Sequence, residues 1–148
     1  MRINIIPPKE LLDQHLLAET REIKMLPKLI IRSLKSKNGI NFNKLQKELP
    51  TYTLNKSHGK FFYSKLLFIE KRFESLLEEI DKRGYNLKPQ TRKLYDESYD
   101  YSLIWDNKEN IYGDWSASES EMEINRERIA QRVSERVGFY RYYGERID

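Results

Sequence analysis

The sequence predicts an all-α protein: a single compact domain of three main helices, joined by long irregular connections and preceded by an extended amino-terminal arm. Two observations carry this. Apolar residues recur at spacings of three, four and seven over 13–37 and 60–83, and a further helical segment is marked by an N-cap signal near 116–118. Helix breakers fall where such segments must end, at Pro7-Pro8, Asn38-Gly39, Gly84 and Gly138. At 148 residues the chain fits one domain, 1–148, long enough to bury a real core.

Residues 2–6, Arg-Ile-Asn-Ile-Ile, read as extended, and Pro7-Pro8 forbid a helix before them. In 13–37 the residues Leu12, Leu16, Ile23, Leu26, Ile30 and Leu34 share one stripe, and Pro27 is expected to kink the helix because it removes a backbone donor. A short helix is expected over 43–48 and a loop over 51–59. In 60–83 the stripe is Phe62, Leu66, Ile69, Phe73, Leu76, Leu77 and Ile80. Residues 85–116 show no sustained period and read as a long connection whose Trp105, Tyr112 and Trp115 cover the core. The third helix runs to about 136; Glu119 and Glu121 suit its positive end, Met122, Ile129, Ala130, Val133 and Val137 are expected to be buried, and Arg126, Arg128 and Arg132 mark its polar side. A dense aromatic and basic tail, Phe139-Tyr140-Arg141-Tyr142-Tyr143, follows.

Composition excludes several function classes. Charged residues make up 34% and hydrophobic residues 39%, which is neither disordered nor membrane-spanning in character. There is no Cys, so disulfides and thiolate metal sites are excluded, and only His15 and His58 offer imidazole. The first residues contain no stretch resembling a signal sequence, so a cytoplasmic location is expected. A net charge of +4 permits a nucleic-acid partner without requiring one. No phosphate-cradling glycine loop, serine-nucleophile motif or dinucleotide fingerprint is present.

Two places remain as candidates for chemistry. At about 100° per residue, Gln14, Ala18, Arg21, Glu22 and Met25 lie to one side of the first core stripe, with Glu22 at its shoulder and Ala18 leaving a gap. That arrangement suits a partly desolvated carboxylate in a cleft, and it equally suits solvated surface charges. Glu19, nearer the apolar stripe, should be paired with an Arg of another helix. The arm offers an α-amine, whose ordinary pKa of about 7.7–8.0 against about 10.4 for lysine leaves far more of it unprotonated near neutrality. Arg2 is large, so the initiator is expected to be retained and Met1 to carry that amine. In the tail, Tyr140, Arg141 and Tyr142 pair stacking faces with a cation, a pattern suited to nucleic acid.

The chain resembles the phage-type pyrimidine-dimer DNA glycosylases, the ultraviolet-damage enzymes also called endonuclease V. The resemblance runs through Arg2-Ile3-Asn4, Asp13-Gln14-His15-Leu16, Ala18-Glu19 and Arg21-Glu22. It continues in His58, Phe61-Phe62-Tyr63, Lys65-Leu66, Lys82-Arg83-Gly84-Tyr85-Asn86, Ile129-Ala130-Gln131-Arg132 and Tyr140-Arg141-Tyr142-Tyr143-Gly144, and so covers nearly the whole chain. It implies an all-α domain that excises the 5′ base of a cyclobutane pyrimidine dimer and nicks the strand by β-elimination, without metal or cofactor. By position Met1 is then the amine nucleophile that forms a Schiff base at C1′, and Glu22 the catalytic carboxylate. Arg2 and Arg21 match phosphate-holding residues, and Gln14 and His15 match residues of the pocket. The implied partner is duplex DNA carrying pyrimidine dimers or abasic sites, met by a monomer that uses no membrane. The same chemistry on another damaged base, and a non-catalytic helical DNA-binding protein, stand as alternatives.

Three departures from the family type are visible. The type has Thr as its mature first residue where this chain has Met1, and a Pro-Arg soon after the catalytic carboxylate where this chain has Ile23-Lys24-Met25-Leu26-Pro27-Lys28, leaving Lys24 or Lys28 for a phosphate. Phe139 stands where the type has Trp.

Overall fold

The extended arm is the axis on which the helices are assembled. In the computed structural model, which describes residues 1–147, Ile3, Ile5 and Ile6 are buried, and Pro7 turns the chain into a 3₁₀ turn at Pro8–Glu10. Helix α1 (Asp13–Glu22) and helix α2 (Met25–Lys35) follow. The expected single helix over 13–37 is therefore broken at Ile23-Lys24, ahead of the proline and not at it. The proline ring crowds the carbonyl four residues back, here that of Ile23. That carbonyl takes the Leu26 N–H at 3.1 Å instead, and the helix restarts so that Pro27 falls in the first turn of α2, where no N–H is needed.

Helix α3 (Phe42–Glu48) is capped by the Asn41 side chain, which accepts from Lys44 N–H at 3.1 Å. The expected helix over 60–83 is also split, into α4 (His58–Phe61) and α5 (Leu66–Lys82). The cause lies far along the chain. Gly113 N–H donates to the Ser64 carbonyl at 3.1 Å and the Gly113 carbonyl accepts from Leu67 N–H at 3.1 Å, so this backbone is paired across to 112–113. A side chain at Gly113 would sit 2.5 Å from the Ser64 oxygen, which is why glycine stands there. Phe62 keeps its place in the core, and Leu66, Ile69, Phe73, Leu76 and Ile80 of α5 are buried as their spacing predicts. Helix α5 packs on α1.

The connection 85–116 has structure of its own: a 3₁₀ turn at Pro89–Arg92, then α6 (Ser102–Asp106), which packs on α2, and α7 (Lys108–Ile111). Trp115 packs edge-on against Phe61 and Phe68 at 5.2 and 5.0 Å, whereas Trp105 stays largely exposed. Helix α8 (Glu119–Glu135) opens with a capping box in which Ser118 and Glu121 satisfy each other's backbone. Its expected apolar face is not buried. Met122, Ile129 and Val133 are half-buried, Ala130 and Val137 are exposed, and the buried residue is Asn125. A short hairpin of β1 (Arg141–Tyr142) and β2 (Glu145–Arg146) closes the described chain. Its two-residue turn needs positive φ twice, supplied by Tyr143 (52°) and Gly144 (79°). Among the described residues no helix is long and apolar enough to cross a membrane.

Candidate active site

A buried extended segment with no neighbouring strand must find partners for its backbone elsewhere. Here side chains supply them. Arg2 N–H donates to Glu22 Oε2 at 3.0 Å, and Ile3 N–H donates to His58 Nε2 at 2.8 Å. The Ile3 carbonyl accepts from Tyr52 OH at 3.0 Å. Ile5 and Ile6 N–H both donate to Asn125 Oδ1, at 2.6 and 3.2 Å, and the Ile6 carbonyl accepts from Arg72 Nη1. His58 Nδ1 faces the Thr53 carbonyl at 2.7 Å, and a carbonyl only accepts, so the proton is on Nδ1 and Nε2 is the acceptor. Burial above all pushes the His58 pKa down; the bond to the Thr53 carbonyl opposes it, the charges of Arg2 and the amino terminus add to it, and the net shift is downward, so the imidazole is neutral at pH 7.

The polar side of the arm is tied in as well. Asn4 Nδ2 donates to Glu19 Oε1 at 2.9 Å, while Arg72 Nη2 and Nε reach Glu19 Oε1 and Oε2, each at 2.9 Å. The expected pairing of Glu19 with an arginine of another helix is thus met by Arg72 of α5, in a fully buried, bidentate pair.

Beside the arm lies a cleft of about 240 Å³, walled by Arg2, Asn4, His15, Ala18, Glu19, Glu22, Arg128, Ile129, Arg132 and Tyr140. Its electrostatics favour an anion. Burial lowers the Arg2 pKa most, and Arg128 and Arg132 add repulsion; an arginine nevertheless stays charged. Arg2 Nη1 and His15 Nδ1 are buried without a hydrogen-bond partner among the described residues. Such groups are costly to leave unmatched. His15 is pushed down by burial and then by Arg132, so it too is neutral at pH 7, and its ring stacks on Tyr140 at 4.7 Å. Among the described residues no group of three or more His, Asp or Glu converges as metal ligands would.

Of the residues singled out from sequence, Arg2, His15, Glu22 and Tyr140 meet in this cleft. The Met1 amine is one residue beyond the Arg2 N–H that Glu22 holds, and successive backbone nitrogens lie about 3–4 Å apart. Gln14 does not line the cleft; it clamps the tail, donating to the Phe139 carbonyl at 2.7 Å and accepting from Arg141 N–H at 3.0 Å. Arg21, Lys24 and Lys28 border a neighbouring groove with Asp96. There Lys28 pairs with Asp96 at 2.6 Å, and Lys24 donates to the Gln90 carbonyl at 2.5 Å. Arg141 and Tyr142 lie on the exposed hairpin. Tyr140 is buried, so its place is beneath the tail's surface.

Sequence reasoning missed Asn4, Arg128, Arg132 and Asn125. Arg128 and Arg132 were legible as an i, i+4 pair on one face of α8, yet only the docking of α8 turns that face toward Glu22. Asn125, whose amide reads as an ordinary polar helix residue, bonds that helix to the arm at Ile5, Ile6 and Asn4.

The hairpin is held by a second buried charge cluster. Asp13 accepts from Arg83 Nη1 (2.9 Å), Tyr85 OH (2.8 Å), Tyr143 N–H (3.1 Å) and Gly144 N–H (2.8 Å). Burial raises its pKa, but these donors together outweigh burial and hold the carboxyl below its usual value. Arg83 lies under the rings of Tyr142 and Tyr143, at 4.9 and 4.6 Å from their centres.

A family model described as pyrimidine dimer DNA glycosylase matches residues 1–93, a span that takes in the arm, Glu22, His58 and all of α1 to α5. Because that match covers well over half of the chain, the protein belongs to the pyrimidine dimer DNA glycosylase family, whose function is DNA repair and whose substrate is DNA.

Proposed function

We propose that the protein excises the 5′ base of a cyclobutane pyrimidine dimer in duplex DNA and then cuts the strand at the resulting abasic site, using the Met1 α-amine as nucleophile and Glu22 as the carboxylate partner. The observation that carries this reading is the 3.0 Å hydrogen bond from Arg2 N–H to Glu22 Oε2, which ties the first peptide of the chain to an acid in a basic cleft. In a chain that begins at Met1, the unprotonated amine attacks C1′ of the sugar; the C1′–N bond to the base breaks and the base leaves with the electron pair. The amine then loses its protons as the sugar ring opens, which leaves an imine between Met1 and C1′. Glu22 stabilises the positive charge that develops on the sugar and accepts the proton from C2′, and the C3′–O bond breaks with departure of the 3′ phosphate. Water releases the sugar fragment and restores the amine.

The remaining groups bind and orient. Arg2, Arg128 and Arg132, which wall the cleft, suit phosphates beside the lesion. Arg21 and Lys24 extend that contact along the neighbouring groove, and His15 and Tyr140 offer a stacked face to the cleft. Arg141 and Tyr142 meet the backbone from the hairpin. The same constellation accepts a preformed abasic site, where only the second half of the chemistry is required.

Borohydride should trap a covalent complex with ultraviolet-irradiated duplex, and acetylating the Met1 amine should abolish it. Trapping that survives the blocked amine makes a lysine the nucleophile and ends this reading. Glu22→Gln should keep lesion binding while slowing both excision and nicking by about 10²-fold or more; rapid residual nicking would remove Glu22 from its role.

A further inference from the structure

Helix α4 opens with His58-Gly59, and both residues meet the arm. His58 holds Ile3 N–H, as described, and its ring is locked by Thr53. Gly59 has no positive φ, so its backbone makes no demand for glycine. Glycine within a helix is unfavourable beside alanine, so its presence calls for a close approach. A Cβ on Gly59 would lie 2.7 Å from Met1 Cε, closer than real Cβ contacts come in all but rare cases. The missing side chain is the room in which the end of the Met1 side chain sits.

We propose that Gly59 is a positioning residue for the terminal amine: it seats the Met1 thioether, and the seat fixes where the amine stands relative to Glu22. The proposal rests on the assignment of the Met1 amine as nucleophile. The geometry is simple. The peptide that joins Met1 to Arg2 is held by Glu22 through Arg2 N–H. Beyond that peptide only rotation about the Cα–C bond of Met1 is left to place the amine. The amine and the Cβ are both bonded to that Cα, so a seated side chain fixes both, where a terminal residue would otherwise fray. The seat also answers the departure noted in the sequence: a threonine at the first position is too short to reach Gly59, and a methionine is matched to it. Because the obstructing atom ends a flexible side chain, a larger residue at 59 is relieved by moving the Met1 side chain and not α4, so the fold is spared and the effect reaches the amine through the Met1 Cα.

The test compares the wild-type chain, Gly59→Val, Met1→Thr (made with a removable initiator ahead of it) and the double variant. Each is measured for the single-turnover rate of borohydride trapping on a duplex with one abasic site, for affinity for that duplex, and for melting temperature. Gly59→Val should slow trapping roughly ten- to hundredfold in the Met1 chain, as misplacement of a reacting group does, with affinity and melting little changed. In the Met1→Thr background the same substitution should change the rate by no more than about twofold. Gly59→Ala gives the same sign with a smaller effect and serves if the valine variant melts early. Equal slowing in both backgrounds, or no slowing with Met1, overturns the role of Gly59. Trapping by a chain with a blocked amine overturns instead the nucleophile assignment beneath it.

Discussion

Replacing Asn125 with alanine removes the one α8 side chain that, among the described residues, is hydrogen-bonded to the arm. Asn125 is fully buried; Oδ1 accepts from Ile5 and Ile6 N–H at 2.6 and 3.2 Å, and Nδ2 donates to Asn4 Oδ1 at 2.8 Å. Truncation strips partners from two buried N–H groups and one amide oxygen. Each such group costs about 1–3 kcal/mol when left unmatched. The two N–H groups share a single acceptor, and a water entering the vacated space recovers part of the loss, so the expected cost is about 2–4 kcal/mol. For a domain of this size that lowers the melting temperature by roughly 4–16 °C. Urea unfolding and thermal melts measure the loss, and strand cleavage of damaged duplex at a temperature where the variant is folded measures its consequence. Arg128 and Arg132 stand on the same helix, so DNA binding should weaken as well. Arg126→Ala is the contrast: its guanidinium bridges Glu10 and Glu119 near the surface, at 2.9 and 3.1 Å, and its loss should leave the melting temperature little changed. A loss below about 0.5 kcal/mol for Asn125→Ala, the range of ordinary surface changes, would refute the view that this amide docks the helix.

Acid should release the arm. Burial lowers the folded pKa of both His15 and His58 from the ordinary value of about 6.5. Below that value the unfolded chain takes up protons that the folded chain refuses, so stability is full above about pH 6.5 and falls as the pH drops through it; protonated His58 also loses the acceptor for Ile3 N–H. Melting temperatures from pH 8 to 5 should show the decline, and His58→Gln should flatten it. Lys24→Ala should reduce the salt dependence of DNA binding by about one phosphate contact, and Lys28→Ala by less, because Lys28 is neutralised by Asp96 at 2.6 Å; equal slopes for the two variants would contradict this. Arg83→Met should cost about 3–5 kcal/mol, since it leaves Asp13 and Glu79 buried without their cation, and nuclear magnetic resonance should show the hairpin detached.

Helices were legible in the sequence where one local pattern decides them. The stripe of α5 and the capping box of Ser118 and Glu121 are of that kind. The breaks were not. Pro27 was visible, but the chain yields at Ile23, four residues earlier, and the gap between α4 and α5 is imposed by Gly113 from nearly fifty residues away. The site divides in the same way. The angular position of Glu22 and the proximity of Arg2 follow from one helix and one arm, whereas Arg128 and Arg132 needed the docking of α8. Burial of Met122, Ala130 and Val137 was expected because apolar residues usually dock a helix. Here the surface beneath α8 is the polar backbone of the arm, so a buried asparagine does that work.

The arm explains why this is so. Ordering a residue costs about 1–2 kcal/mol in backbone freedom, and burying an isoleucine returns about 1.5–3 kcal/mol. The buried Ile3, Ile5 and Ile6 therefore offset the ordering of the five or six residues around them and leave little over. What apolar burial cannot do is choose the register, since it is not directional. A slip of one residue would turn Asn4 and Arg2 toward the places that Ile3 and Ile5 occupy, and would unpair every backbone group that Glu22, His58, Tyr52, Asn125 and Arg72 now satisfy. Those side chains come from α1, α4, α5, α8 and the 51–59 loop, so the register of the arm is a property of the whole fold. The position of the Met1–Arg2 peptide beside Glu22 is then held by side chains that do not themselves line the cleft, and substitutions at His58, Tyr52 or Asn125 should reach the chemistry through the arm without touching DNA.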